Sequence, residues 1–253
     1  MKTDTIKTYF PSLIDIGKAQ NRLAKVIRRT PLEQHFDLSE KYGAEIWLKR
    51  EDLQAVRSYK IRGAYNKISG LDKSVIQNGI VCASAGNHAQ GVALSCYKLN
   101  IKGTIFMPTP TSNQKIKKVK QFGQDFVKVV LIGDTFDDAS KAAQAFCKKE
   151  DATYIPPFDD EKVIEGQGTI GMEILHQFAG HIDYLFLPIG GGGLSAGVSS
   201  VFHHLSPDTK IIGVEPLGAA AMKLSIEKGE RVLLEEIDKF VDGAAVQQVG
   251  QLN

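Results

Sequence analysis

The sequence predicts an α/β fold built as two adjacent parallel-sheet units, and three observations carry that expectation. Short apolar runs alternate with longer helical patterns along the chain. Glycine- and serine-rich turns stand directly between an apolar run and the helical pattern after it, where ligands meet the carboxyl ends of parallel strands. The 43% apolar and 24% charged content is that of an ordinary globular protein, and 253 residues can bury one large core or two modest ones.

In chain order, Ile46 to Lys49 reads as a strand and Ser58 to Leu71 as a helix capped by Ser58. Ile80 to Ala83 is a buried-strand run, followed by a helix from Asn87 to Leu99. Thr104 to Met107 is a strand stopped by Pro108 and Pro110. A helix around Gln114 to Phe122, the strand Val127 to Ile132 and a helix from Phe136 to Lys149 follow. Tyr154 to Asp160, with Pro156 and Pro157, reads as a connector. Beyond it, Gly168 to Phe178 is helical, Tyr184 to Leu187 a strand, Leu194 to Leu205 a helix and Lys210 to Val214 a strand. No solenoid-length repeat or low-complexity tract interrupts this order.

Lys and Arg total 31 against 29 Asp and Glu, and a balance of +2 does not point to nucleic acid. The basic run Lys115 to Lys120 alternates with apolar residues, as a solvated helix face does. Cys82, Cys96 and Cys147 form no Cys-x-x-Cys pair and sit in apolar stretches, so buried free thiols in a reducing compartment are expected. The start lacks an apolar signal core, and Tyr184 to Val198 is too short and too glycine-rich to span a bilayer. A cytoplasmic protein is expected. His203 and His204 are adjacent rather than four residues apart, so no metal site is expected.

Three segments carry chemistry. Gly190, Gly191, Gly192, Gly193 and Leu194 lie between a strand and a helix, where bare backbone amides can converge on a phosphate; a plain flexible turn is the alternative. A nucleophile elbow is disfavoured: Gly193 to Gly197 matches Gly-x-Ser-x-Gly in form, without a plausible downstream histidine. Ser84, Ala85, Gly86, Asn87 and His88 occupy a second strand-to-helix junction, suited to a carboxylate, or else simply to an N-cap. His88 in a first turn is more often structural than catalytic. Lys60 falls in the first turn of its helix, where the dipole and Arg62 disfavour an ammonium, and a partly neutral amine suits Schiff-base chemistry. Taken alone it reads as a surface lysine.

Together these segments resemble the fold-type II pyridoxal-phosphate enzymes, specifically the threonine dehydratase branch. The likeness runs over essentially the whole chain. It includes Arg29 to Leu32, Leu48 to Gln54, Ser58 to Ala64, Ser84 to Gly91, Met107-Pro108, Gln114-Lys115, Gly190 to Leu194 and Gly213 to Pro216. The resemblance implies two three-layer units, truncated at the C-terminus. Residues 1–57 and 160–253 would form the larger, phosphate-binding domain, and 58–159 the smaller domain with the substrate loop.

It further implies that Lys60 anchors pyridoxal 5'-phosphate, that Gly190 to Leu194 bind its phosphate, and that Asn87 bonds its ring oxygen. Ser84 to His88 would hold the carboxylate of L-threonine, with L-serine as a possible second substrate. The freed Lys60 amine would take the Cα proton, and loss of the β-hydroxyl would lead to 2-oxobutanoate and ammonia, the first step toward isoleucine. Ala85, where related racemases have a serine, disfavours racemisation, and Ala221 removes a carboxylate of their metal site. Ile61-Arg62 after Lys60 departs from the cysteine-synthase pattern. The Arg50-Glu51-Asp52 and Arg57-Ser58-Tyr59 spelling resembles the biosynthetic group. A pyridine-nitrogen partner is expected beyond Asn253; biosynthetic members also carry a C-terminal regulatory domain, which is not found in these residues, and the full-length protein is expected to be a homo-oligomer. The competing readings are a degradative or racemase-related serine/threonine dehydratase, and a nucleotide- or phosphate-binding module without chemistry.

Overall fold

The computed structural model describes residues 9–253. The elements run α1 (Leu13–Leu23), β1 (Leu32–Gln34), α2 (Phe36–Tyr42), β2 (Trp47–Lys49), α3 (Lys60–Ser69) and α4 (Lys73–Ile76). Then come β3 (Ile80–Ala83), α5 (Asn87–Leu99), β4 (Gly103–Met107), α6 (Asn113–Gly123), β5 (Val127–Leu131), α7 (Phe136–Glu150) and β6 (Thr153–Tyr154). The chain continues through α8 (Glu161–Gln177), β7 (Tyr184–Pro188), α9 (Gly193–Leu205), β8 (Lys210–Val214) and α10 (Ala221–Lys228).

One sheet is parallel throughout, in the order β5-β4-β3-β6. Alternation along β3 and β4 explains its two covered faces, since successive side chains point to opposite sides. Ile80, Cys82, Ile105 and Met107 pack with α5 and Val119 of α6, while Val81, Ala83 and Phe106 pack with Ala139 and Ala143 of α7. The second parallel pair, β7-β8, rests on α8 and α9 through Leu187, Ile170, Val198 and Phe202. Its other face leaves Tyr184, Phe186, Ile212 and Val214 exposed. β2 belongs to neither sheet: it pairs antiparallel with β1.

α3 joins the two units by packing against both α5 and α8. Its crossing with α8 is close because both helices carry glycine there. A Cβ on Gly166 would stand 2.7 Å from the Arg62 carbonyl oxygen, and one on Gly168 2.9 Å from the Gly197 carbonyl oxygen of α9. These glycines also explain a difference from the sequence expectation, which started this helix at Gly168. The helix starts seven residues earlier, with the Asp160 carboxylate accepting from the Lys162 and Val163 amides. Tertiary fit overrides the low helix propensity of Gly166.

Smaller corrections have similar causes. α3 begins at Lys60 rather than Ser58; the Ser58 hydroxyl still accepts from the Lys60 amide, at 3.2 Å. Tyr154, read as the start of a connector, closes β6 on the edge of the four-stranded sheet. Cys82 and Cys96 are buried free thiols as expected, but Cys147 of α7 is only half-buried. Glu215 accepts from the Met222 and Lys223 amides and so caps α10. Among the described residues no group of His, Cys, Asp and Glu could hold a metal, and no helix is long and apolar enough to cross a membrane.

Candidate active site

Lys60 opens α3 at the junction of the two units. Its Nζ donates to the Pro157 carbonyl at 2.9 Å and lies 5.5 Å from the Tyr59 ring centroid and 6.0 Å from that of Phe158. The residue is half-buried, and its amine is surrounded by carbonyl and aromatic groups rather than carboxylates. Burial lowers the amine from the ordinary lysine value to about 8. The expected help from Arg62 is a correction: that guanidinium is neutralised by Glu51 and Glu173, so desolvation carries the effect.

A test of this environment follows from linkage. Lys60 binds its proton less tightly in the folded cofactor-free protein than in the unfolded chain. Its charge therefore opposes folding in full below about pH 8, and the penalty fades as pH rises toward the unfolded value of 10.5. A Lys60→Met variant should melt above the parent protein at pH 7, and the gap should close by pH 10.5. A gap independent of pH would contradict the desolvated amine.

Both amide clusters neighbour this lysine: Phe158, whose ring lies 6.0 Å from Nζ, packs on Gly191 and Gly193, and the Lys60 charge acts on His88. No protein group among the described residues accepts from the backbone N–H groups of Gly190 to Leu194. These amides precede or open α9, whose dipole adds positive potential. Side chains would not fit: a Cβ on Gly193 would be 2.8 Å from the Phe158 carbonyl oxygen, one on Gly192 2.7 Å from Asn253, and one on Gly191 would enter the Phe158 ring. Gly192 also has φ +98°, which L side chains rarely adopt. The Leu194 side chain, by contrast, is buried in the core cluster that Tyr59 packs against.

The second cluster follows β3. The Ser84 hydroxyl accepts from the Gly86 amide at 3.2 Å, leaving the amides of Ala85, Asn87 and His88 without protein acceptors among the described residues. Asn87 is exposed at the first position of α5. The His88 ring departs from any substrate role: it is buried, and its Nε2 lies 2.9 Å from the Ile155 carbonyl. That acceptor requires the proton on Nε2, and burial, then the Lys60 charge, lowers its pKa to about 3. The imidazole is thus a neutral brace, and the His88 amide is the part left for a ligand. α5 comes within reach of Lys60 because Gly91 has no side chain; a Cβ there would sit 3.2 Å from the Lys60 carbonyl carbon and oxygen.

The residues the sequence reading missed lie in Ile155 to Phe158. This segment accepts from His88 and Lys60 and covers the glycine loop with Phe158. Two prolines just before the helix N-cap Asp160 were the available signal. A separate cleft of about 320 Å3, lined by Gln20, Ala24, Ile27, Arg29, Glu173 and His176, contains none of these groups. The arrangement therefore offers an amine of lowered proton affinity near two helix ends whose amides lack protein acceptors among the described residues. That donor set fits an aldehyde cofactor with a phosphate and a substrate with a carboxylate.

Known proteins are similar to this chain. The pyridoxal-phosphate dependent enzyme family matches residues 23–253, and the chain belongs to that family. It is 54% identical over 238 residues to the protein named L-threonine dehydratase biosynthetic IlvA of Halalkalibacterium halodurans, covering 94% of this chain and 57% of that relative. The chain thus spans a little over half the length of such curated relatives. It is also similar to the solved processed form of threonine deaminase isoform 2 from Solanum lycopersicum, with 46% identity and a TM-score of 0.88, over 96% of this chain and 68% of that one. Maize serine racemase superposes with a TM-score of 0.91 at 30% identity, over 96% of this chain and 73% of that one.

Proposed function

We propose that this chain is the catalytic part of a biosynthetic threonine dehydratase, converting L-threonine to 2-oxobutanoate and ammonia. The observation that carries this reading is the Lys60 amine, whose proton is held less tightly than an ordinary lysine's, near two clusters of unpaired amides. Relatives at more than half identity, named threonine dehydratases, support the choice of substrate.

Pyridoxal phosphate supplies the covalent anchor for the substrate amine and the electron sink for the carbanion. The Gly190 to Leu194 amides hold its phosphate, and the Asn87 amide group bonds its ring oxygen. The amides of Ser84 to His88 hold the threonine carboxylate, so that the Cα–H bond faces Lys60. Lys60 would take the Cα proton as a base and pass a proton to the departing β-hydroxyl, which would leave as water; the unsaturated amine would then take up water and give 2-oxobutanoate and ammonia. Ala85 supplies no acid or base on the face opposite Lys60, which favours elimination over racemisation. In this reading residues 58–159 form the domain of the substrate loop, and 1–57 with 160–253 the domain of the phosphate loop. The enzyme works in the cytoplasm toward isoleucine, as a homo-oligomer in its full-length form.

With the cofactor added, L-threonine should give 2-oxobutanoate faster than L-serine gives pyruvate, measured by the keto acid released. The reverse order would move the assignment to a serine dehydratase. Nucleotide binding without any visible absorbance from pyridoxal phosphate would point instead to a non-catalytic module. A Gly193→Ala variant should weaken pyridoxal-phosphate affinity by roughly tenfold or more, because the added methyl meets the Phe158 backbone; equilibrium dialysis reads this directly.

A further inference from the structure

We infer that Arg62 is a positioning residue for Lys60, acting through a buried cluster of Lys49, Glu51, Arg62 and Glu173. The inference rests on the role given to Lys60 above.

The cluster is electrically balanced and fully bonded. Arg62 is 0% exposed, and all five of its guanidinium N–H groups have acceptors. Its Nε donates to Glu51 at 2.8 Å, its Nη1 to Glu173 at 2.7 Å and Thr169 at 3.0 Å, and its Nη2 to Glu51 at 2.7 Å and Glu173 at 2.9 Å. Lys49 spends its three donors on Glu173, Gln177 and the Thr30 carbonyl. Two cations meet two carboxylates with no spare charge.

Such a cluster is weak support for stability as such, because apolar residues of equal volume often do as well. What it supplies is direction. The planar fork of Arg62 accepts only one arrangement of Glu51 and Glu173. Glu51 immediately precedes the loop that delivers Lys60, and Gln54 in that loop is tied to the Arg28 backbone from both ends of its amide. Arg57 in the same loop is held at φ +59°, a conformation that persists only where surrounding contacts over-determine it. On the opposite side Gly91 lets α5 press against the Lys60 backbone. The Lys60 backbone is thus fixed from two sides, while its side chain stays free to leave Pro157.

The test measures covalent capture of pyridoxal phosphate by Lys60, trapped with borohydride, as a function of pH. The amine faces Pro157, Tyr59 and Phe158 and the neutral His88 of α5, so its midpoint reports its desolvation. In the parent protein the midpoint should fall near 8. Arg62→Met should raise it by about one unit or more and slow capture at pH 8 by about fivefold or more. Arg62→Lys, which keeps the charge and loses the fork, should fall between. Ile68→Ala, a core truncation on the same helix, should lower the melting temperature and leave the midpoint in place. If Arg62→Met does not fold, Arg62→Lys decides alone. Unchanged capture in folded Arg62 variants, or an equal shift in Ile68→Ala, would overturn the positioning role while leaving Lys60 as the anchor. No capture in the parent protein would overturn both.

Discussion

On the proposed function, Lys60→Ala should lose the visible absorbance of bound pyridoxal phosphate and cut threonine turnover by roughly 10^3-fold or more, since one amine would serve as both anchor and base. The fold should survive the change. Lys60 makes one side-chain hydrogen bond, to Pro157, and its charge opposes folding at neutral pH. Unchanged circular dichroism with a lost absorbance band would locate the defect in the chemistry. A band that persists in the variant would mean that another lysine carries the cofactor.

Glu173→Ala should have the largest effect on stability, about 3–5 kcal/mol, because it leaves Arg62 and Lys49 buried with Glu51 as their single counter-charge. Burial alone would raise the Glu173 carboxyl, but bonds from Arg62 and Lys49 more than offset that and hold it below its ordinary 4.5. A carboxylate depressed in the folded state contributes above its unfolded value and loses that contribution as pH falls through the folded one. The deficit of Glu173→Ala should therefore be full at pH 7 and shrink progressively below pH 4.5, as urea titrations at several pH values would read. For comparison, Lys149→Ala breaks only the exposed pair with Glu150 and should change stability by less than about 1 kcal/mol. Similar costs for the two variants would show that the buried cluster is not coupled.

The strands and glycine loops were legible because their signals are local. Four to five apolar residues followed by small residues and a helical pattern specify β3 with Ser84 to His88, and β7 with Gly190 to Leu194, whatever the rest of the chain does. The failures are mostly long-range. Gly166 and Gly168 look like helix breakers until α3 and α9 are seen to lie against them. α1 buries Ile16, Ala19 and Leu23, a three-to-four spacing that was readable but carries no chemical motif. Arg62 looked like a charge beside Lys60 because sequence distance is blind to the partners, Glu51 and Glu173, that meet it in space. His88 is the same lesson in reverse: only its burial in the fold shows why its imidazole stays neutral, while the Ile155 carbonyl fixes which nitrogen carries the proton.

The segment from Ile155 to Pro157 has one more property. Pro156 and Pro157 carry no N–H, and the Ile155 amide is already spent on the Val81 carbonyl in the sheet edge. The strip between the two helix ends is therefore acceptor-only. It can accept hydrogen bonds from Lys60 and His88, but it has no donor to offer a phosphate or a carboxylate. A ligand with an anion at each end finds electronegative carbonyls in the middle and amides at the two flanks. Polarity alone then keeps the ligand's two anions at the flanks and away from the middle, before any contact to the reacting carbon is made.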